Sequence, residues 1–224
     1  MQDLIDHIEE SLFFGEKEVS KLTNEIMSIK GLTSKKVKSF LNNLCSRDDT
    51  KYLEIGAYQG STFCAAIYGN DIYATAVDDW KDLNLLPASF SLWTSSNLQT
   101  NKSNPEDIFR KNVAKCCDLS KIQIINNNYL TFNVGSVNNL SNVVFYDGEH
   151  TFVDQYAIMS RLKKLTQETF ILVVDDWNWE KNGILKGIKD FNYKCIYKKD
   201  IFTKGEDPQD FWNGLGIFIL YNNL

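Results

Sequence analysis

The chain has 224 residues, of which 43% are hydrophobic, and a formal net charge of −5 at pH 7. This size and apolar content suffice for one sizeable core, and no apolar run approaches the ~20 residues that span a bilayer, so no membrane partner is expected. The acidic balance disfavours nucleic acid as a partner, and five cysteines without a C-x-x-C pair indicate reduced thiols in the cytoplasm.

The first part of the chain, residues 1–46, is predicted to be helical. Ser34 is a candidate helix cap, and the cluster Lys35, Lys36 and Lys38 is typical of a solvated helix face. Apolar residues recur there at helical spacing: Leu4, Ile8, Leu12, Val37, Phe40, Leu41 and Leu44. We assign this segment to the same domain as residues 47–224.

The rest of the chain alternates between short apolar runs and helical stretches. Five runs resemble buried parallel strands: Tyr52–Ile55, Tyr73–Val77, Ile122–Ile125, Val143–Tyr146 and Phe170–Val174. The helical stretches are Thr62–Tyr68, Pro105–Cys117, Phe152–Lys164 and Ile184–Phe191. Two last runs, Lys194–Ile201 and Gly216–Tyr221, favour an antiparallel hairpin at the sheet edge. The pattern predicts a doubly wound, mostly parallel α/β sheet of seven strands.

One segment, Leu83–Asn104, interrupts this alternation. It is rich in Ser, Asn, Leu and Thr and has Pro87 and Pro105 near its ends. A loop of this length is either a lid over a ligand site or a disordered insertion. If it is a lid, Trp93 is its candidate contact with a ligand.

The most informative stretch is the first strand with the loop that follows it, Lys51–Thr62. The apolar run ends on Glu54, and glycines stand at Gly56 and Gly60 before the next helix begins. Glycine lets a ligand approach the backbone, and a helix start offers free N–H donors. The stretch therefore predicts a small-ligand pocket of the nucleotide type.

Acidic residues follow four of the predicted parallel strands. They are Glu54, Asp78-Asp79, Asp147 with Glu149, and Asp175-Asp176. In open α/β sheets ligands sit beyond the carboxyl ends of the strands, so these acids should converge on one crevice. Because clustered carboxylates repel one another, we expect a metal ion or a cationic ligand among them.

The second strand and the glycine loop together indicate the ligand. Asp78 lies about 20 residues after the loop, where an acid typically accepts hydrogen bonds from ribose hydroxyls. Both NAD and S-adenosylmethionine (SAM) satisfy this. However, the glycines lack the G-x-G-x-x-G spacing that holds a pyrophosphate, and an acid at Glu54 suits an ammonium group better than phosphates. We therefore favour SAM.

Leu53–Gly60 resembles motif I of the class I SAM-dependent methyltransferases, and closely that of the catechol O-methyltransferases. Asp147-Gly-Glu-His150 followed by Asp175-Asp176-Trp177 resembles the metal-assisted bacterial sugar O-methyltransferases that act on macrolide and aminocoumarin antibiotics. The resemblance covers residues 50–221 and implies a Rossmann-like methyltransferase sheet. It also implies a homo-oligomer built through N-terminal elements, although residues 1–46 could equally pack on their own domain.

The resemblance also implies roles for single residues. The metal ligands would be Asp147, Asp175 and Asp176, with His150 as the general base. Asp176 could instead only cap its turn, and His150 could be structural. Tyr129 would lie near the adenine. The implied cofactor-binding residues are Glu54, Gly56, Ala57, Tyr58, Gly60, Ser61, Thr62, Asp78 and Asp147.

The residue types agree with this chemistry. Three carboxylates are hard oxygen ligands that favour Mg²⁺, or Mn²⁺ or Ca²⁺, over Zn²⁺. A divalent ion lowers the pKa of a bound hydroxyl, and a positioned histidine can accept its proton. A hydroxylated small molecule, above all a sugar or glycoside with adjacent hydroxyls, is the expected substrate. A catechol enzyme, a SAM-binding protein without catalysis and an NAD-dependent oxidoreductase remain alternatives.

Overall fold

The computed structural model of the protein describes residues 1–81, 104–205 and 207–222. Its single sheet has the strand order β3-β2-β1-β4-β5-β7-β6. The strands are β1 Lys51–Ile55, β2 Tyr73–Asp78, β3 Ile122–Asn126, β4 Ser141–Tyr146, β5 Thr166–Val174, β6 Tyr193–Ile201 and β7 Leu215–Asn222. β1 to β5 pair in parallel, and β7 runs antiparallel to both β5 and β6. The predicted seven-stranded, doubly wound sheet with a C-terminal hairpin is confirmed.

The described helices follow the predicted alternation. They are α1 Gln2–Glu16, α2 Asn24–Met27, α3 Lys35–Leu44, α4 Ser61–Ile67, α5 Pro105–Val113, α6 Phe152–Leu165 and α7 Asn182–Asp190. Ser34 caps α3, since its hydroxyl accepts from the Val37 N–H at 3.2 Å. α5 ends four residues earlier than predicted, and a 3₁₀ turn follows it, Leu119–Lys121, which Asp118 caps by accepting from the Ser120 N–H at 2.9 Å.

Apolar side chains pack on both faces of the sheet, as the buried runs require. One cluster joins α1, α3, α4 and α5 to the sheet through residues such as Ile8, Phe40, Phe63 and Phe109. The other lies under α6 and α7 and includes Ile158, Met159, Leu162 and Ile184. The five cysteines are free thiols. Among the described helices, none is long and apolar enough to cross a membrane.

The N-terminal helices are tied to α4 by buried polar contacts. Asn42, which is fully buried, donates to the carbonyls of Ala65 and Tyr68 at 2.8 and 2.9 Å. This helix group shares a core with the sheet. Its assignment to the same domain and the boundary at residue 46 stay predictions.

The solvated helix face proposed for the lysine cluster is wrong at Lys38. Its side chain is 5% exposed, and its ammonium donates to the carbonyls of Met27 and Ile29 at 2.9 and 2.6 Å. Burial lowers the pKa of Lys38 to about 8. The reason is tertiary: α3 turns this position toward the end of α2, where free carbonyls need a donor.

The strand order fixes where a ligand can bind. β1 lies between β2 and β4, so the chain leaves β1 in one direction for β2 and returns on its other side for β4. A crevice forms beyond the carboxyl ends of strands at such a switch point. Motif I follows β1, and Asp147 follows β4, so both predicted halves of the site meet at this crevice.

Candidate active site

A tight backbone junction joins the glycine loop to the end of β4. Gly56 has φ +87°, and a Cβ placed on it would stand 1.8 Å from the Asp147 carbonyl oxygen. The Gly56 N–H donates to Val77 O at 3.0 Å, and the Asp147 N–H donates to Ile55 O at 2.9 Å. Only glycine fits here, because both the dihedral angle and the close approach exclude a side chain.

A cavity of about 520 Å³ opens at this junction. Its walls come from residues 30–33, 56–59, 61–62, 78, 147–150, 175–176, 179 and 212–213. Seven of the nine residues predicted to bind the cofactor line it: Gly56, Ala57, Tyr58, Ser61, Thr62, Asp78 and Asp147. Gly60 and Glu54 are not among the lining residues. Gly60 instead takes φ +85° at the start of α4, where it packs against Phe109.

Glu54 lies one layer beneath the cavity. Its side chain is fully buried and accepts hydrogen bonds from the Tyr52 hydroxyl and, at 2.7 Å, from the Thr62 hydroxyl. Burial raises the pKa of Glu54 to about 8. Thr62 does line the cavity, so Glu54 is linked to the cavity through this hydroxyl.

Asp78 braces the glycine loop. Its two carboxylate oxygens accept from the N–H groups of Tyr58 and Trp80, each at 2.7 Å. The Trp80 indole donates to Tyr58 O at 2.6 Å, which ties the loop to the end of β2 a second time. Burial raises the pKa of Asp78. The residue borders the cavity, so its remaining lone pairs are placed near any ligand there.

The three predicted metal ligands and the predicted base line the same cavity. His150 Nε2 lies 3.0 Å from Asp176 Oδ2 and 3.7 Å from Asp147 Oδ1. Asp175 is 2% exposed, and its Oδ1 is buried without a hydrogen-bond partner in the described part of the chain. Burial and the neighbouring carboxylates raise the pKa of both Asp147 and Asp175. Desolvated like charges of this kind are relieved by protons or by a cation.

His150 is held as a neutral base. Burial lowers its pKa despite the attraction of Asp176. Because a carboxylate can only accept, Nε2 carries the proton toward Asp176, and Nδ1 keeps the lone pair. Nδ1 is buried and has no partner among the described residues. The Trp179 ring meets the imidazole edge-on, with the ring centroids 5.7 Å apart.

The loop that carries His150 is fixed from behind by two tyrosines. The Tyr129 hydroxyl accepts from the Glu149 N–H at 2.9 Å, and the Tyr146 hydroxyl donates to Glu149 O at 2.7 Å. Tyr129, suggested for the adenine side, thus supports this loop and is not among the cavity-lining residues.

Two walls of the cavity carry no motif that sequence reasoning could identify. One is the segment 30–33, which the Ser61 hydroxyl anchors by donating to Ile29 O at 2.9 Å. The other is Trp212-Asn213, before β7, where Asn213 donates to Asp176 Oδ1 at 2.9 Å. The only local signal is a Trp-Asn-Gly turn ahead of the last strand. The predicted lid, Leu83–Asn104 with Trp93, lies outside the described residues except for Asn104, which caps α5.

The carboxylates fit a divalent cation by donor chemistry. Asp147, Asp175 and Asp176 offer only oxygen, and Asp175 Oδ1 is an orphaned buried acceptor. Within the described residues, however, no three His, Cys, Asp or Glu side chains already stand as a formed metal site. Asp147 and Asp176 instead both lie near His150. A cation would therefore require these side chains to turn from the histidine.

Comparison with known proteins identifies the fold. The chain is similar to the cofactor-bound Rv0187 protein of MTB, with 11% identity over 97% of this chain and 89% of that one, at a TM-score of 0.55. It is also similar to TrmK of M. capricolum in complex with S-adenosylhomocysteine, with 19% identity over 82% of this chain and 67% of that one, at a TM-score of 0.51. No protein-family model and no curated protein sequence matches the chain.

A third similar structure corrects one prediction. It is a candidate RNA methyltransferase, PH1948 of Pyrococcus horikoshii, with 12% identity over 96% of both chains and a TM-score of 0.53. The fold is therefore that of the class I SAM-dependent methyltransferases, in which proteins named for RNA also occur. The prediction that nucleic acid is not a partner, made from the net charge, was wrong, because a protein with this fold is named for RNA. Three of the negative charges in that balance, on Asp147, Asp175 and Asp176, line the cavity and say little about the outer surface.

Proposed function

We propose that this protein is a SAM-dependent O-methyltransferase that uses a divalent cation. One observation carries the proposal: the glycine loop after β1 and the group Asp147, His150, Asp175 and Asp176 line the same cavity. A methyl donor and a deprotonated hydroxyl must meet within a few ångströms, and this arrangement brings the two halves that would hold them together.

The cofactor would lie along the glycine loop. Its ribose would reach Asp78, and its methionyl part would lie against Ser61 and Thr62, which border the cavity. Glu54 is linked to Thr62 by a 2.7 Å hydrogen bond. A methionyl ammonium above it would lower its raised pKa, so the ionised carboxylate would form with the cofactor and favour that ammonium from beneath. This placement leaves the sulfonium methyl facing the acidic side of the cavity.

The acidic side would hold the hydroxyl to be methylated. Asp147, Asp175 and Asp176 would bind Mg²⁺, or Mn²⁺ or Ca²⁺, which lowers the pKa of a hydroxyl beside it. His150 would accept the proton, because its lowered pKa leaves the imidazole neutral and basic near pH 7. The exposed indole of Trp179 lies beside His150 and offers an apolar surface for the acceptor.

The acceptor we favour carries two adjacent hydroxyls, as sugars and glycosides do. A catechol has the same chelating pair, so Asp147, Asp175 and Asp176 do not distinguish a sugar from a catechol. Activity measurements on the two acceptor classes distinguish them. A protein that binds SAM without turning it over is the alternative from another class. The buried, charged and unpartnered groups around Asp175 favour catalysis, since such groups are costly to keep without a task.

Calorimetry tests the cofactor first. We expect S-adenosylhomocysteine (SAH) to bind and NADH not to bind, and preferential NADH binding would refute the proposal. Methyl transfer from labelled SAM is then measured on glycosides, catechols and RNA, each with Mg²⁺ and with EDTA. Transfer that survives EDTA would refute the role of the cation. Transfer to RNA alone would refute the small-molecule acceptor while leaving the methyltransferase in place.

Asp175→Asn tests the acidic side, with Asp79→Asn as its matched control. Asp175 lines the cavity, whereas Asp79 forms an ion pair with Lys81 after β2 and is not among the lining residues. We expect Asp175→Asn to lower Mg²⁺-dependent transfer at least about a hundredfold, because several kcal/mol of charge stabilisation would be lost. SAH affinity should stay unchanged in both variants.

A further inference from the structure

The turn before β7 is built rigidly against the loop after β5. The Asn178 N–H donates to Asn213 O at 2.9 Å, and the Trp177 N–H donates to Gly214 O at 3.2 Å. Trp212 has φ +51° and Gly214 has φ +85°. A bulky residue with positive φ is uncommon and persists only where its surroundings enforce it. The backbone is thus shaped to present Asn213 at a defined place.

Only the nitrogen of the Asn213 side-chain amide makes a hydrogen bond to the described residues. It is 1% exposed, and its Nδ2 donates to Asp176 Oδ1 at 2.9 Å. This orientation of the amide is required, because the opposite one would set a carbonyl oxygen against a carboxylate oxygen. Oδ1 is then buried in the cavity wall and has no hydrogen-bond partner among the described residues.

An amide oxygen in this state has a cost. Leaving a buried acceptor unpartnered costs roughly 1–3 kcal/mol, so native proteins keep few of them. Asp175 Oδ1 is likewise buried without a hydrogen-bond partner among the described residues, and Asp175 lines the same cavity. Three carboxylates, one of which carries an orphaned oxygen, and the orphaned amide oxygen of Asn213 form a set that a hard divalent cation would satisfy, since amide carbonyls are among its usual ligands.

We infer that Asn213 is a further, neutral ligand of the divalent cation and that it also positions Asp176. This inference rests on the cation of the proposed function. The amide nitrogen would keep its bond to Asp176 Oδ1 while Oδ2 leaves His150, and the amide oxygen would join Asp147, Asp175 and Asp176 as a ligand. A neutral fourth oxygen adds a coordination bond without adding to the repulsion among the carboxylates.

Mn²⁺ binding to the purified full chain tests this, followed by electron paramagnetic resonance of the free ion and by calorimetry. For Asn213→Ala we expect at least about a tenfold loss of Mn²⁺ affinity, because removing a direct ligand should cost no less than removing a group that only supports one. SAH affinity should stay within twofold. Asn213→Asp restores an oxygen at this position, so its Mn²⁺ affinity should return to that of the natural protein or exceed it.

Asn178→Ala is the structural control. Asn178 sits in the same pair of loops, where it donates to Thr203 O at 2.9 Å and accepts from the Thr203 N–H at 3.2 Å, and it is not among the cavity-lining residues. It should lower the melting temperature without changing Mn²⁺ affinity. An equal loss of Mn²⁺ affinity in Asn178→Ala and Asn213→Ala would overturn the ligand role, because it would show that the loss comes from disturbed packing of the two loops.

The remaining outcomes separate the two proposals. If Asn213→Ala binds Mn²⁺ as the natural protein does, the inference is wrong while the cation-dependent enzyme stands. If Asn213→Asp loses as much affinity as Asn213→Ala, the oxygen is not a ligand. If the natural protein binds SAH but no Mn²⁺, the cation part of the proposed function is wrong, and this inference falls with it.

Discussion

The two halves of the cavity differ in how their polar groups are satisfied. On the cofactor side, Glu54 accepts from two hydroxyls, and Asp78 accepts from two backbone N–H groups. On the acidic side, three polar atoms are buried without partners among the described residues: Asp175 Oδ1, His150 Nδ1 and Asn213 Oδ1.

This difference indicates two kinds of preparation for a ligand. The cofactor side is rigid because its acids are used to fix the loop that a ligand would contact. The acidic side keeps its charge uncompensated, and the pKa values of Asp147 and Asp175 are raised as a result. A preorganised binding surface thus faces a group of side chains whose state depends on what binds there.

The largest effect should come from the junction of the two halves. Gly56→Ala places a methyl group 1.8 Å from Asp147 O at a φ of +87°, so β1 and β4 can no longer meet as they do. We expect loss of SAH binding and of the cooperative thermal transition, measured by calorimetry and circular dichroism. Gly205→Ala is the control, since its φ is also positive but no atom of the described residues would lie within 4 Å of the new methyl group. An equally damaged control would show that positive φ alone is responsible.

His150→Asn should affect the acidic half alone. Removing a general base typically costs 10²–10⁴ in rate, so we expect a loss of about this size in transfer at saturating SAM. SAH affinity, measured by calorimetry, should not change. In the natural protein the rate should fall as the pH drops through the lowered pKa of His150, where the base becomes protonated. A variant that keeps this pH profile and rate would show that His150 is structural.

Glu54→Gln should change how the free energy of unfolding depends on pH. The folded protein holds the Glu54 proton up to about pH 8, whereas the unfolded chain releases it near 4.5. The free energy of unfolding should therefore fall as pH rises across this window, by on the order of 5 kcal/mol from this residue. Glu54→Gln should flatten that fall in urea titrations. An unchanged slope would contradict the raised pKa.

The smallest effect should come from the N-terminal wall of the cavity, the segment 30–33. Lys38→Met keeps most of the apolar stem but removes the ammonium that donates to Met27 O and Ile29 O, and Ile29 O then keeps only its bond from the Ser61 hydroxyl. We expect a loss of roughly 1–3 kcal/mol in the free energy of unfolding, together with weaker SAH binding, because this segment borders the cavity. Lys35→Met, at an exposed position on the same helix, should change neither quantity.

Much of the fold was readable because it depends on local patterns. Buried parallel strands appear as continuous apolar runs, and Glu54-Ile-Gly56 with Gly60 marks the turn after the first strand within a few residues. The acids after β4 and β5 were also readable, since parallel strands bring their carboxyl ends to one edge. What remained hidden were contacts between distant segments, such as the Lys38 ammonium with Ile29 O and the Asn213 amide with Asp176.

The sequence by itself determined the order of strands and helices, the glycine at position 56 and the types of residue at the strand ends. Only the tertiary structure decided which of these groups line the cavity and which lie beneath it. Glu54 became a buried acid under Thr62, and Asn213 became a neighbour of Asp176 across 37 positions of the chain. The physical reason is that burial and unpartnered atoms are properties of assembled surfaces, which no local pattern of residues records.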